Sequence, residues 1–187
     1  MKTSGTGGKS LLYRALPLLA TAVAVHVLAV WSTPYIIMQM LMNGPDARAM
    51  HMHNQAVFPP PVSAKVRTVV MPSPDLLYSV CVYDLSTGPV RISANPALPS
   101  YWSIALYGAN SDNFFVINDR NAAGKPVDLL LVYGRDGTMH DTAANGPHIV
   151  VSPSVKGFLL MRVLTGDYAT EKTVVEPARR TLVCQKT

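Results

Sequence analysis

The sequence predicts an all-β exported domain, of β-sandwich or jelly-roll-like type with α+β as the alternative, behind a single N-terminal transmembrane helix. Three observations carry that expectation. No Asp, Glu, Lys or Arg occurs from Ala15 to Met42. From about residue 65 onward, short runs rich in Val, Leu, Ile and Tyr alternate with Gly, Pro, Asn and Asp, the spacing of strands and turns. After Met52 no run has the 3.6-residue apolar period of an amphipathic helix. The 187 residues allow one domain plus an anchor. Hydrophobic residues make up 49% and charged residues 14%. That balance excludes a disordered chain, which needs low hydrophobicity and high charge.

The apolar run is longer than the ~20 residues a span requires. Tyr13 and Trp31 bracket a stretch that would measure about 27 Å as a helix, close to the ~30 Å hydrocarbon core, with an aromatic ring at each interface. Pro17 is placed in the first turn and Pro34 at the close of the span. Lys2, Lys9 and Arg14 precede the run with no acid among them. By the positive-inside rule they stay in the cytoplasm and the rest is exported. The expected organisation is a cytoplasmic tail at 1–14, a transmembrane helix at 15–34, a Met/His- and Pro-rich linker at 35–64 and an exported β domain at 65–187. The location expected from this is the bacterial inner membrane, with the main domain periplasmic. The run is too long for an ordinary signal-peptide core, which favours an uncleaved anchor. His26 falls inside the span, where a neutral imidazole against lipid or a partner helix is the plainer reading.

The net charge of +5 and pI of about 9.3 do not describe a nucleic-acid-binding face. Three of the sixteen basic residues lie before the apolar run. No stripe of Lys and Arg interleaved with aromatics follows, so no nucleic-acid partner is expected.

The linker holds the densest chemical feature. Met38, Met40, Met42, Met50, His51, Met52 and His53 lie close together in the chain. Thioether and imidazole ligands together suit Cu(I), so Met50, His51, Met52 and His53 are the candidate metal ligands of a copper-handling alternative. The plainer reading is apolar packing by adaptable side chains, with no cofactor. Phe58-Pro59-Pro60-Pro61 reads as an extended, semi-rigid spacer.

In the exported region the predicted strands are Val66–Met71, Leu76–Leu85, Val90–Ser93, Tyr101–Tyr107, Phe114–Asn118, Val127–Tyr133, Ile149–Ser152, Phe158–Leu164, Thr173–Glu176 and Thr181–Cys184. Asp136-Gly137 is a hairpin signal. The unbroken apolar run Phe158–Met161 indicates a strand buried on both faces. Cys81 and Cys184 both fall in predicted strands. An oxidising compartment allows a bond between them; two buried free thiols are the alternative.

Catalytic signatures are absent. There is no G-x-S-x-G, no phosphate-binding G-x-x-x-x-G-K-[ST], no G-x-G-x-x-G and no H-E-x-x-H. A hydrolase alternative would use Asp75, Asp112 or His140, or a set drawn from His140, Asp141, His148, Ser152 and Ser154. Turn and loop roles account for these residues more simply.

The stretch Ser73-Pro74-Asp75-Leu76-Leu77-Tyr78-Ser79, followed by Asp84-Leu85-Ser86-Thr87-Gly88-Pro89-Val90 and later by Tyr101-Trp102 and Asn113-Phe114, resembles the domain-of-unknown-function family numbered 1254. The motif residues it marks are Asp75, Tyr78, Asp84, Gly88, Pro89, Asn113 and Phe114. Ser73 and Leu76 depart from the family's Asn and Thr. Longer members resemble a two-domain arrangement whose second half is another uncharacterised domain, numbered 1214. The resemblance implies that this shorter chain corresponds to the first half and that the second half is a separate envelope protein docking on an exposed sheet face or edge. It implies no reaction. The leading expectation is therefore a non-enzymatic, single-pass envelope protein whose β domain binds a partner protein or envelope ligand.

Overall fold

The computed structural model describes residues 7–63, 72–134, 139–140 and 146–187. The predicted strand Val66–Met71 and the turn at Asp136-Gly137 lie outside the described residues. Helix α1 runs from Gly7 to Asn43, about 55 Å at 1.5 Å per residue. It is long and apolar enough to cross a membrane. Pro17 and Pro34 both lie inside it. The helix therefore starts before Pro17 and continues past Pro34, where the sequence reading ended it. Each proline removes one helical N–H. Hydroxyls add local bonds beside both: Thr21 Oγ1 donates to Pro17 O at 2.9 Å and Thr33 Oγ1 to Ala29 O at 2.6 Å, a common accommodation in membrane helices.

The last turns of α1 belong to the domain. Met38 and Met42 are buried, Met42 completely, against Val80, Val82 and Phe158, together with Ala47 and Met52. Ala47 comes from the single-turn helix α2, Pro45–Ala49. The following segment is also packed rather than free. Val57 and Val80 exchange backbone bonds at 2.8 and 2.9 Å, Asn54 N donates to Val82 O, and Val82 N donates to Met52 O. Residues 52–57 thereby close the outer edge of the first strand.

Strands β1 (Leu76–Asp84), β3 (Trp102–Tyr107), β4 (Asn113–Asn118) and β8 (Lys156–Leu164) form one antiparallel sheet in the order β1-β8-β3-β4. Strands β2 (Val90–Ala94), β5 (Val127–Tyr133), β6 (Met139–His140), β7 (His148–Ser152) and β9 (Val183–Lys186) form the second, in the order β6-β7-β5-β2-β9. All its pairs are antiparallel except β5 with β7. Strand β6 pairs with β7 and not with β5, so β5 and β6 are not a hairpin.

The two sheets share one core. Leu77, Cys81, Tyr83, Ile104, Leu106, Leu159, Met161 and Val163 of the first meet Val90, Ile92, Leu129, Leu131, Val150 and Cys184 of the second. Alternation explains the pattern, since successive side chains of a strand point to opposite faces. In β1 the odd positions face this core, while Val80 and Val82 face α1. Both faces of β1 are thus buried, and the run Val80–Tyr83 at its centre carries no polar residue but the tyrosine hydroxyl. Cys81 and Cys184 are joined as a disulfide between the sheets, with Cα atoms 6.6 Å apart.

One predicted strand is a helix. Thr173–Glu176 lies within α4, Tyr168–Arg179, so the domain is β-rich with a helix packed on it. Its β-branched residues favour strands, but the termini decide. Asp167 caps the N-terminus by accepting from Ala169 N at 3.0 Å, and Glu171 accepts from Gly166 N at 3.1 Å. Only Val175, Ala178 and Arg179 are buried, a narrow stripe at helical spacing. A four-residue helix, α3 (Asp119–Ala122), follows β4 and is capped by Asn118.

Candidate functional site

The residues of the family motif sit at turns and in packing positions. Tyr78 Oη accepts from Ser73 N at 2.9 Å, holding the approach to β1. The Asp75 side chain is exposed, and its carbonyl accepts from Thr165 N. The Asp84 carboxylate accepts from Ser86 N at 3.0 Å and pairs with Lys156 at 2.9 Å. Burial alone would raise its pKa, but the bonds from Ser86 and Lys156 outweigh burial and lower it to about 2. Gly88 takes φ +142° in the turn to Pro89, a conformation that excludes a Cβ. Asn113 is exposed at the start of β4. Phe114 is the extra residue of a β-bulge opposite Leu106 and Tyr107 and meets the Tyr83 ring edge-on at 6.4 Å. The motif thus secures the turns at both ends of β1 and the start of β4.

Ser152 and Ser154, considered above as nucleophiles, belong to a closed network. Ser152 is fully buried. Its hydroxyl donates to Ser154 O at 2.7 Å and lies 3.0 Å from Tyr83 Oη, which donates to Tyr107 O at 2.9 Å. Ser154 Oγ accepts from Ala109 N and donates to Lys156 O. Burial raises the Tyr83 pKa, partly offset by the serine hydroxyls. All three hydroxyls are hydrogen-bonded, and the Tyr83–Ser152 contact joins the two sheets. Gly157 completes the fit, because a Cβ there would collide with the Tyr83 hydroxyl and Tyr107 O.

The Met/His segment is divided. Met52 is buried with Met38 and Met42 among valine and phenylalanine side chains, whereas Met40, Met50, His51 and His53 are exposed. The thioethers of Met38, Met42 and Met52 fill a seam between helix and sheet, which removes Met52 from the candidate ligands and leaves Met50, His51 and His53 at the surface. The residues of the hydrolase alternative are only partly described. Asp112 is engaged with Asn110 in the β3–β4 turn, far along the chain from exposed Asp75. Asp141 and the side chain of His140 lie outside the described residues. Among the described residues no group of three or more His, Cys, Asp or Glu side chains converges.

Two features remain that sequence reading missed. The first is a shallow cleft of about 450 Å³ between Phe58, Pro60 and Pro61 and the α4 residues Tyr168, Lys172, Glu176, Arg179 and Arg180. Arg179, 2% exposed, pairs with Glu176 at 2.7 Å and donates to Pro59 O and Tyr78 O. Glu176 also accepts from Tyr168 Oη and Arg180 Nε. Burial raises the Glu176 pKa, and the two arginines and Tyr168 more than reverse this. The network pins the proline segment against α4 and satisfies the Tyr78 carbonyl on the β1 edge. No sequence motif marks it, because Arg179 meets Pro59 and Tyr78 across separations of 120 and 101 residues. The second feature is the outer edge of β4, which no other described strand pairs.

The family described as Protein of unknown function (DUF1254) matches residues 50–186. The chain belongs to the DUF1254 family. No curated protein matches it. Among solved structures, the VPA0106 protein of Vibrio parahaemolyticus is similar over 84% of this chain, with a TM-score of 0.63 and 12% identity. A putative uncharacterized protein from Burkholderia cenocepacia is similar over 63% of this chain and 33% of its own, at 13% identity and a TM-score of 0.44. At such identity the first likeness shows the fold. This DUF1254 chain spans 36% of the length of the Vibrio protein.

Proposed function

We propose that this chain is a single-pass protein of the bacterial inner membrane, N-terminus cytoplasmic, whose β domain of sandwich type lies in the periplasm and docks a second envelope protein. The carrying observation is the seam of Met38 and Met42 with Val80, Val82 and Phe158. It joins the anchor to the sheet without a flexible joint. Trp31 and Tyr35 meet at a tilt, ring centroids 5.5 Å apart, one to two turns earlier, where aromatic rings would mark the outer interface. Tyr35 to Met42 rises about 10 Å, so the domain stands at the bilayer surface in one orientation. A fixed mount suits a subunit that must meet a neighbour in the membrane.

The partner expected from the family resemblance is a protein like the 1214-type second domain. The motif residues are absorbed in turns and packing, and among the described residues no three His, Cys, Asp or Glu side chains converge, which supports docking over catalysis. The test is isolation of the tagged full-length chain from membranes in mild detergent, with quantitative mass spectrometry. A stoichiometric envelope protein is the expected result; recovery of the chain alone would overturn the reading.

A further inference from the structure

The sheet edges are treated unequally. The β1 edge is closed by residues 52–57 and by Arg179. The β9 edge is four residues long and ends in exposed Lys186, a charge that discourages strand pairing. The β6 edge adjoins residues outside the described set. The β4 edge alone is left neither paired nor charged among those fully described. Asn113–Asn118 reads Asn-Phe-Phe-Val-Ile-Asn, without a charge, Pro or Gly. No hydrogen bond from the described residues reaches its outer backbone beyond the caps at its two ends. The bulge at Phe114 confines the regular part to Phe115–Asn118. There Phe115 and Ile117 turn toward the core, while Val116, 52% exposed, faces out.

The flanks define the occupant. Asp112 is exposed at one end. Asp119 closes the other, at the start of α3. A second copy pairing antiparallel about Phe115 and Val116 would set Asp112 opposite Asp119. Like charges directly opposite are destabilising. Arg120, exposed, follows Asp119.

Resting on the docking reading above, we propose that the β4 edge receives an extended segment of the partner protein by strand addition, apolar at its centre and carrying Lys or Arg at both ends. Main-chain bonds would supply affinity and the two aspartates the register.

The test uses the full-length chain in detergent and the labelled peptide acetyl-Lys-Thr-Val-Thr-Val-Lys-amide, read by fluorescence anisotropy. Binding is expected, weakened about tenfold in Asp112→Asn/Asp119→Asn. It should be lost in Val116→Lys and when alternate peptide nitrogens are methylated. Unchanged thermal unfolding of the variants excludes misfolding as the cause. No binding at millimolar peptide, equal binding of a Glu-flanked peptide, or cross-linking of Val116 to a second copy would each overturn the proposal. So would a partner that co-purifies undiminished with Val116→Lys, and that outcome would leave the docking function itself standing.

Discussion

Cys81, beside the edge of one sheet, is bonded to Cys184, in the edge strand of the other, closing a separation of 103 residues. Both are buried in the shared core. The bond ties the C-terminal strand across the interior to the strand that also contacts the anchor. Loop closure of this size is worth up to about 4.7 kcal/mol in the chain-entropy treatment, and removing native disulfides typically costs about 2–5 kcal/mol. Cys81→Ala/Cys184→Ala should therefore lower stability by a few kcal/mol, read as the drop in Tm of the full-length chain in detergent. Reductant should reproduce the drop in the native chain and leave the double variant unchanged.

The helix–sheet seam predicts a sharp contrast between neighbouring methionines. Met42 is fully buried and Met40 is 70% exposed. Met42→Ala should cost about 2–5 kcal/mol of the packing there, while Met40→Ala should stay within about 0.5 kcal/mol. Hydrogen exchange at Val80 and Val82 should accelerate in the first variant and not in the second.

Gly157 cannot carry a side chain while Tyr83 and Tyr107 hold their places. Gly157→Ala is expected to be among the most damaging single-methyl additions in the domain, by about 1–3 kcal/mol or more. Tyr83→Phe should not rescue it, since the Tyr107 carbonyl is backbone and stays. Denaturant midpoints of the three variants decide this.

Acid should weaken the turn after β1. The Asp84 pKa is lowered to about 2 in the folded chain, against about 3.9 unfolded. Its contribution is complete above the unfolded value and is lost as pH falls from about 4 to 2. Partial exposure of the Lys156 pair limits it to the order of 1 kcal/mol. Asp84→Asn should flatten that part of the stability–pH curve.

Most strands were legible because each needs one local signal. Leu76–Asp84, Val90–Ala94, Trp102–Tyr107 and Val127–Tyr133 coincide within a residue or two with apolar runs bounded by turn residues. The helix α4 was not, because Thr173-Val174-Val175 carries strand propensity and its stabilisation comes from Asp167, Glu171 and the buried Arg179. Its one sequence sign is the spacing of Val175, Ala178 and Arg179. The extension of α1 beyond Pro34 was hidden because a proline ordinarily ends a helix. Met38 and Met42 keep it helical by packing on a sheet whose strands lie far away in the chain. The same long-range packing buries Met52 and so divides the Met/His cluster. An open β4 edge is a property of strand order, which no local pattern encodes.

The central claim is that the β domain docks another protein while held at the membrane. The most direct measurement is photo-cross-linking in living cells from exposed apolar positions around the domain, Tyr101, Val116, Tyr133, Val174 and Val183 in turn. The account predicts one dominant adduct with a single envelope protein, concentrated at one or two adjoining positions and absent when Met42→Lys frees the domain from its anchor. No adduct at any of the five positions would contradict it.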